Sequence, residues 1–208
     1  MFLMMMNGYR APTRVLIFAT ALVLGADLQA GTPEAKSVID KLHATLLDVM
    51  KRADALGYSG RYDTLAPVVS ASFDFGTIGQ KLLGRYWAGL NADQRKQFLE
   101  TFERLSTATY AARFDGFKNE KFRTVSQETK GDWTIVTAEL VKSNGDTVQF
   151  KYILKPQGER WRILNVFADG VSELAARKAE YSGVMKDRGF DALITRLRDK
   201  IDHYAKET

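Results

Sequence analysis

The chain has 208 residues, of which 45% are hydrophobic, 26% charged and 11% aromatic, and it has no cysteine. That is enough apolar material for one globular core but not for a polytopic membrane protein, and it removes disulfides, thiol nucleophiles, cysteine-held zinc and iron–sulfur clusters. Two histidines and a net charge of +5, with basic residues interspersed among acidic ones, weigh against multi-histidine metal sites and a nucleic-acid-binding face.

Residues 1–30 read as an export signal. Arg10 and Arg14 precede an almost unbroken apolar run from Val15 to Leu24, then come Gly25, Ala26 and Asp27 and a cleavage point after Ala30. The run is about half the ~20 residues a spanning helix needs, and no cysteine follows it to carry a lipid anchor. Residues 31–208 are therefore expected to form a single soluble domain outside the cytoplasm. Without Arg10, Arg14 and Asp27 the balance is +4, suited to weak attraction toward anionic headgroups.

Thr32-Pro33-Glu34 opens the first helix with a hydroxyl cap, a proline and an acid. Val38, Ile39, Leu42, Leu46, Val49, Met50 and Ala53 carry its period up to Gly57. Tyr62 to Ser72, disturbed by Pro67, and Phe75 to Leu83, stopped by Gly84, are shorter helices. Asn91 to Gln94 is a capping box before a long helix striped by Phe98, Phe102, Leu105, Ala108 and Ala112, fraying near Gly116. The period then changes to two. Phe122–Glu128, Trp133–Val141, Thr147–Lys155 and Trp161–Ala168 read as strands joined by short turns at Gly131, Gly145 and Gly158. Asp169-Gly170 ends the sheet, Ser172 caps a helix to about Arg188, Gly189 breaks it, and Phe190–Tyr204 closes the chain. The fold class is α+β, with helices packed on one face of a curved antiparallel sheet of about four strands.

Chemistry is thinly signalled. His43 flanks the apolar stripe of the first helix and His203 lies near the chain end, neither with a ligand-spaced partner. Glu139 in mid-strand and Asp169 at a strand end are the carboxylates that an isomerase or dehydratase on an NTF2-like fold would use as a general base. No phosphate-binding loop or nucleophile elbow is present. The aromatic residues are more informative. Phe150, Tyr152 and Leu154 share one face of the third strand, Ile163, Asn165 and Phe167 one face of the fourth, and Phe73, Phe75 and Trp87 precede the long helix. Helix-on-sheet layers that fail to close bind large apolar ligands.

Phe73-Asp74-Phe75, Leu83-Gly84-Arg85-Tyr86-Trp87, Leu90, Gln94, Phe98, Phe102 and Tyr110 resemble the N-terminal signature of the MlaC, or toluene-tolerance, family of periplasmic phospholipid-binding proteins. Phe150-Lys151-Tyr152, Trp161-Arg162-Ile163, Gly170-Val171-Ser172 and Gly189-Phe190-Asp191 resemble its second half. After Ser172 the chain departs from the family's Leu-Val-x-Asn-Tyr-Arg. Glu173 to Lys178, with Asn165 in place of an aspartate and Ala179-Glu180-Tyr181 following, looks more like the hopanoid-associated HpnM branch. The resemblance implies a carrier without covalent chemistry, cofactor or metal. It would hold a hopanoid or a phospholipid, act as a monomer, and make transient contact with inner- and outer-membrane transport complexes. A small-molecule enzyme and a non-catalytic envelope interaction protein are the alternatives.

The residues expected to line the lipid pocket, on the order of 300 Å³ or more, are Phe73, Phe75, Trp87, Phe98, Phe102, Leu105, Phe150, Tyr152, Leu154, Ile163, Phe167 and Val171. Arg177 and Lys178 are expected to be out of helical phase with its mouth. That phase favours a hopanoid, whose rigid rings lose little freedom on binding.

Overall fold

The computed structural model of the protein describes residues 34–207, within the unit that spans Gly31–Thr208. The export signal, its cleavage point and the Thr32-Pro33 cap lie outside the described residues. Burial of Ile39, Leu42, Leu46 and Val49 along one stripe holds α1 (Ala35–Lys51), which starts after Glu34. It ends sooner than its apolar period suggests, because Arg52 leaves helical geometry (φ −110°, ψ 17°). The chain resumes as α2 (Ala53–Ser72), which carries Pro67 inside it and kinks at Gly57. Asp74 caps α3 (Phe75–Leu83) through the Thr77 amide, and Gly84 diverts the chain into a 3₁₀ turn, Gly84–Gly89. The Asn91–Gln94 capping box forms as expected and starts α4 (Ala92–Arg113).

The sheet is an antiparallel meander in the order β1-β2-β3-β4-β5. Its strands are β1 (Lys121–Lys130), β2 (Trp133–Val141), β3 (Thr147–Gln157), β4 (Arg160–Ala168) and β5 (Val171–Ser172). The fifth strand corrects the four-strand expectation. Asp169 and Gly170 both have positive φ (48° and 82°), as a tight hairpin turn with the twist of the strands requires. They therefore return the chain against β4 instead of ending the sheet. Two residues are too few to show a period in sequence.

α5 (Glu173–Glu207) begins directly from β5 and kinks at Gly189. Gly189 has φ 80° and ψ −173°, a region that is essentially closed to residues with a Cβ. Open space surrounds its missing side chain, so the constraint there is purely backbone. Gly189→Ala is expected to cost about 1–3 kcal/mol, read from the shift of the urea midpoint.

The helices cover one face of the curved sheet, and α4 lies between α2 and α5. Two ties fix them to β4. The Asp74 amide donates to the Ile163 carbonyl (3.0 Å), and Arg162 donates to the Ser70 carbonyl at the end of α2 (2.9 Å).

Candidate functional site

A cavity of about 250 Å³ opens between the helices and the sheet, somewhat smaller than expected. Eight aromatic side chains form a continuous series around it, Phe102–Phe75–Phe73–Tyr110–Phe114–Phe122–Phe150–Tyr152, with successive ring centres 5.7–6.4 Å apart. Leu46, Ile78, Leu82, Leu140, Leu164 and Val166 fill in between them.

Several polar residues in the lining have their polar atoms engaged elsewhere. Ser106 and Thr109 donate to the Phe102 and Leu105 carbonyls of their own helix (2.8 and 2.7 Å). The Tyr152 hydroxyl is hydrogen-bonded to His43 Nε2 (2.8 Å). Asn165 Nδ2 donates to Ser172 Oγ (3.0 Å), and its Oδ1 accepts the Leu174 amide (3.2 Å). Asn165 and Ser172 thus lock the first turn of α5 onto β4. Burial pushes the Tyr110 and Tyr152 phenols well above their usual range, so both are neutral. The result is an apolar interior.

Charge enters at one end. Arg113, Glu173 and Arg177 are the charged residues among those described in the lining. Their side chains are 62%, 37% and 19% exposed, which marks the mouth. Glu173 lies 4.0 Å from Arg113 and 3.6 Å from Arg177. The Arg177 guanidinium sits over the Phe102 ring, 5.8 Å from its centre, an attraction worth about 0.5–2 kcal/mol. The expected phase is therefore corrected for Arg177, whereas Lys178 is not among the lining residues. Glu173 and Arg177, one turn apart, both line the cavity, because the α5 helix starts at Glu173 directly after β5 and the Asn165 lock sets its rotation.

Of the residues expected in the lining, Phe73, Phe75, Phe102, Phe150 and Tyr152 face the cavity. The others do not. Phe98 and Leu105 are fully buried on a neighbouring stripe of α4, whereas the cavity takes Phe102, Ser106, Thr109, Tyr110 and Arg113. Leu154 and Ile163 pair with each other and are fully buried, outside the lining. Phe167 lies opposite Lys151 on the far face. An extra residue at Leu164 shifts the register between Ile153 and Leu154, and a one-residue slip reverses every later side chain. Trp87 is half-buried on the 3₁₀ turn with Arg95 5.5 Å over its ring, and Val171 is 62% exposed in β5.

The lining also takes Arg113, Phe114, Phe122, Leu140 and Arg177, which the sequence pattern does not assign to it. The spacing of Tyr110 and Arg113 from Phe102 was a usable signal for two of the lining positions. Glu139 pairs with Arg123 (2.6 Å) across β1 and β2, and Asp169 Oδ1 accepts the Gln149 amide in the hairpin (2.9 Å). Neither faces the cavity.

The sequence pattern of the MlaC protein family matches residues 40–199, more than half of the chain. The chain belongs to the MlaC family. The intermembrane phospholipid transport system binding protein MlaC of Haemophilus influenzae is 27% identical over 139 residues, 64% of this chain and 63% of that protein. The chain thus spans less than two thirds of that relative. A phospholipid-binding protein from Ralstonia solanacearum, solved in complex with a phospholipid, shares the fold with a TM-score of 0.73 at 18% identity, over 83% of this chain and 99% of that one. No helix among the described residues is long and apolar enough to cross a membrane.

Proposed function

We propose that this MlaC-family chain is a periplasmic lipid carrier. It takes the acyl part of a phospholipid into the aromatic-lined cavity, leaves the headgroup at the charged mouth, and hands the lipid on between inner- and outer-membrane complexes. Residues 1–30 direct export and are removed, residues 31–208 act as one domain and as a monomer, and no covalent chemistry is involved. The observation that carries this reading is an apolar cavity ended by two arginines and one carboxylate. Each CH₂ brought out of membrane into water costs about 0.8 kcal/mol, so a lipid crosses an aqueous compartment only inside such a shield. The names of the two relatives support the same cargo class.

The arginines place phospholipid ahead of hopanoid. A hopanoid has no anionic group to match Arg177, whose side chain is only 19% exposed, whereas a phosphodiester accepts charge-assisted hydrogen bonds from it. The test is native mass spectrometry of delipidated protein after incubation with phosphatidylethanolamine, phosphatidylglycerol and a hopanoid. Phospholipid is expected to stay bound, and Arg177→Ala is expected to hold it about tenfold more weakly or worse, since hydrogen bonds to charged groups contribute about 1.5–3 kcal/mol. Hopanoid uptake with no phospholipid overturns the cargo assignment, and an empty protein overturns the carrier reading itself.

A further inference from the structure

Glu173 is out of place at a mouth built only for a phosphate. A single anion would be served best by Arg113 and Arg177 alone, yet a carboxylate sits within 4.0 Å of one and 3.6 Å of the other. When a phosphate takes up the guanidinium donors, Glu173 loses its partners and is left beside a second negative charge, which is unfavourable. That loss is relieved if the headgroup brings its own cation. An ethanolamine ammonium stands two carbons beyond the phosphate oxygen, within reach of a carboxylate that already adjoins both arginines. A glycerol headgroup brings hydroxyls only.

We propose that Glu173 is a headgroup-selecting residue: Arg113 and Arg177 hold the phosphate of a zwitterionic phosphoethanolamine lipid while Glu173 holds its ammonium group. The proposal rests on the phospholipid reading above. The geometry suits selection because Glu173 and Arg177 are held in place at the mouth, and Arg113 reaches them from the end of α4. Arg113 is the last residue of α4 and Glu173 the first of α5. Asn165 and Ser172 fix that turn through the Leu174 and Ala175 amides (3.2 and 3.1 Å), and Arg177 is seated on Phe102. An acid in the first turn of a helix also favours the helix on its own account. A purely structural Glu173 would change folding when replaced and leave the choice of headgroup untouched.

The experiment offers delipidated protein an equimolar mixture of phosphatidylethanolamine and phosphatidylglycerol with identical acyl chains, in vesicles, and weighs the retained species by native mass spectrometry. The intact protein is expected to favour phosphatidylethanolamine about three- to tenfold, in keeping with a partly exposed charge pair. Glu173→Gln is expected to bring the ratio close to one, and Glu173→Lys to reverse it toward phosphatidylglycerol. Equal retention of both lipids by the intact protein, or an unchanged ratio in Glu173→Gln, overturns the selecting role while leaving the carrier intact. Retention of neither lipid overturns the carrier reading and this inference together.

Discussion

Phe98→Ala is expected to cost about 3–5 kcal/mol of folding stability, and Phe150→Ala only about 1–2 kcal/mol. Both residues are aromatic, and both looked like cavity lining in sequence. Phe98 is completely inaccessible, stacked on Phe102 at 6.0 Å and meeting the Tyr181 ring edge-on at 6.2 Å. Its removal opens a void in the packed layer that it shares with Phe102 and Tyr181. Phe150 is half-buried and faces space that is already empty, so truncation enlarges an existing cavity and forfeits fewer contacts. Urea unfolding of the two variants checks the difference. Lipid retention should order them the other way, with folded Phe150→Ala losing more lipid than folded Phe98→Ala. Equal costs would mean that the cavity lining is packed as tightly as the helix layer.

Acid is expected to destabilise the protein through His43. Its ring is 4% exposed, stacked on Phe122 at 4.0 Å and bonded to the Tyr152 hydroxyl. Burial pulls its pKa from 6.5 down to about 4, with the Asp40 carboxylate opposing the shift only partly. The unfolded chain therefore takes up a proton between pH 6.5 and about 4 that the folded chain refuses. The stabilisation is complete above pH 6.5, declines as pH falls through that window, and levels off below about 4, where both states carry the proton. It amounts to about 3 kcal/mol. Asp40, whose own pKa is lowered from 3.8 against the desolvation that opposes it by Lys36, Thr124 and His43, adds a loss in the same direction only at more acidic pH. Urea unfolding at pH 7.5 and 4.5 should show a drop of about 2–3 kcal/mol in the intact protein and a much smaller one in His43→Phe. Parallel drops in the two proteins would assign the acid sensitivity to other groups.

Much of this architecture was legible from periodicity. The helix bounded by Asp74 and Gly84, the Asn91–Gln94 capping box, the strand Trp133–Val141 and the break at Gly189 are local features, and local side-chain chemistry decides them. What stayed hidden depends on single residues whose effect is long-range. One added residue at Leu164 turned Phe167 away from the helices, and nothing in an apolar run marks such a bulge. The Asp169-Gly170 turn read as an end because the strand after it is two residues long. His43 looked like a boundary residue on its helix, but the Tyr152 hydroxyl that satisfies it comes from 109 positions away. The mouth was misread for a related reason. Counting helical phase forward from Ser172 requires knowing the rotation of α5, and that is set by the cross-strand amide of Asn165.

A sheet that does not close on itself leaves a row of unpaired N–H and C=O groups on each outermost strand, a ready template for intermolecular strand addition and aggregation. Both borders are blunted here. On one side β5 is only two residues long. On the other, β1 is interrupted by the bulge at Val125 and begins and ends with lysine. Two side-chain bonds also strap α1 alongside β1, from the Lys36 amide to Gln127 Oε1 (2.8 Å) and from the Thr124 hydroxyl to Asp40 (2.8 Å). On the carrier reading proposed above, the protein has to open the apolar hollow between helices and sheet to load and unload its cargo. Borders that resist strand addition let it do so without its copies fusing into a common sheet.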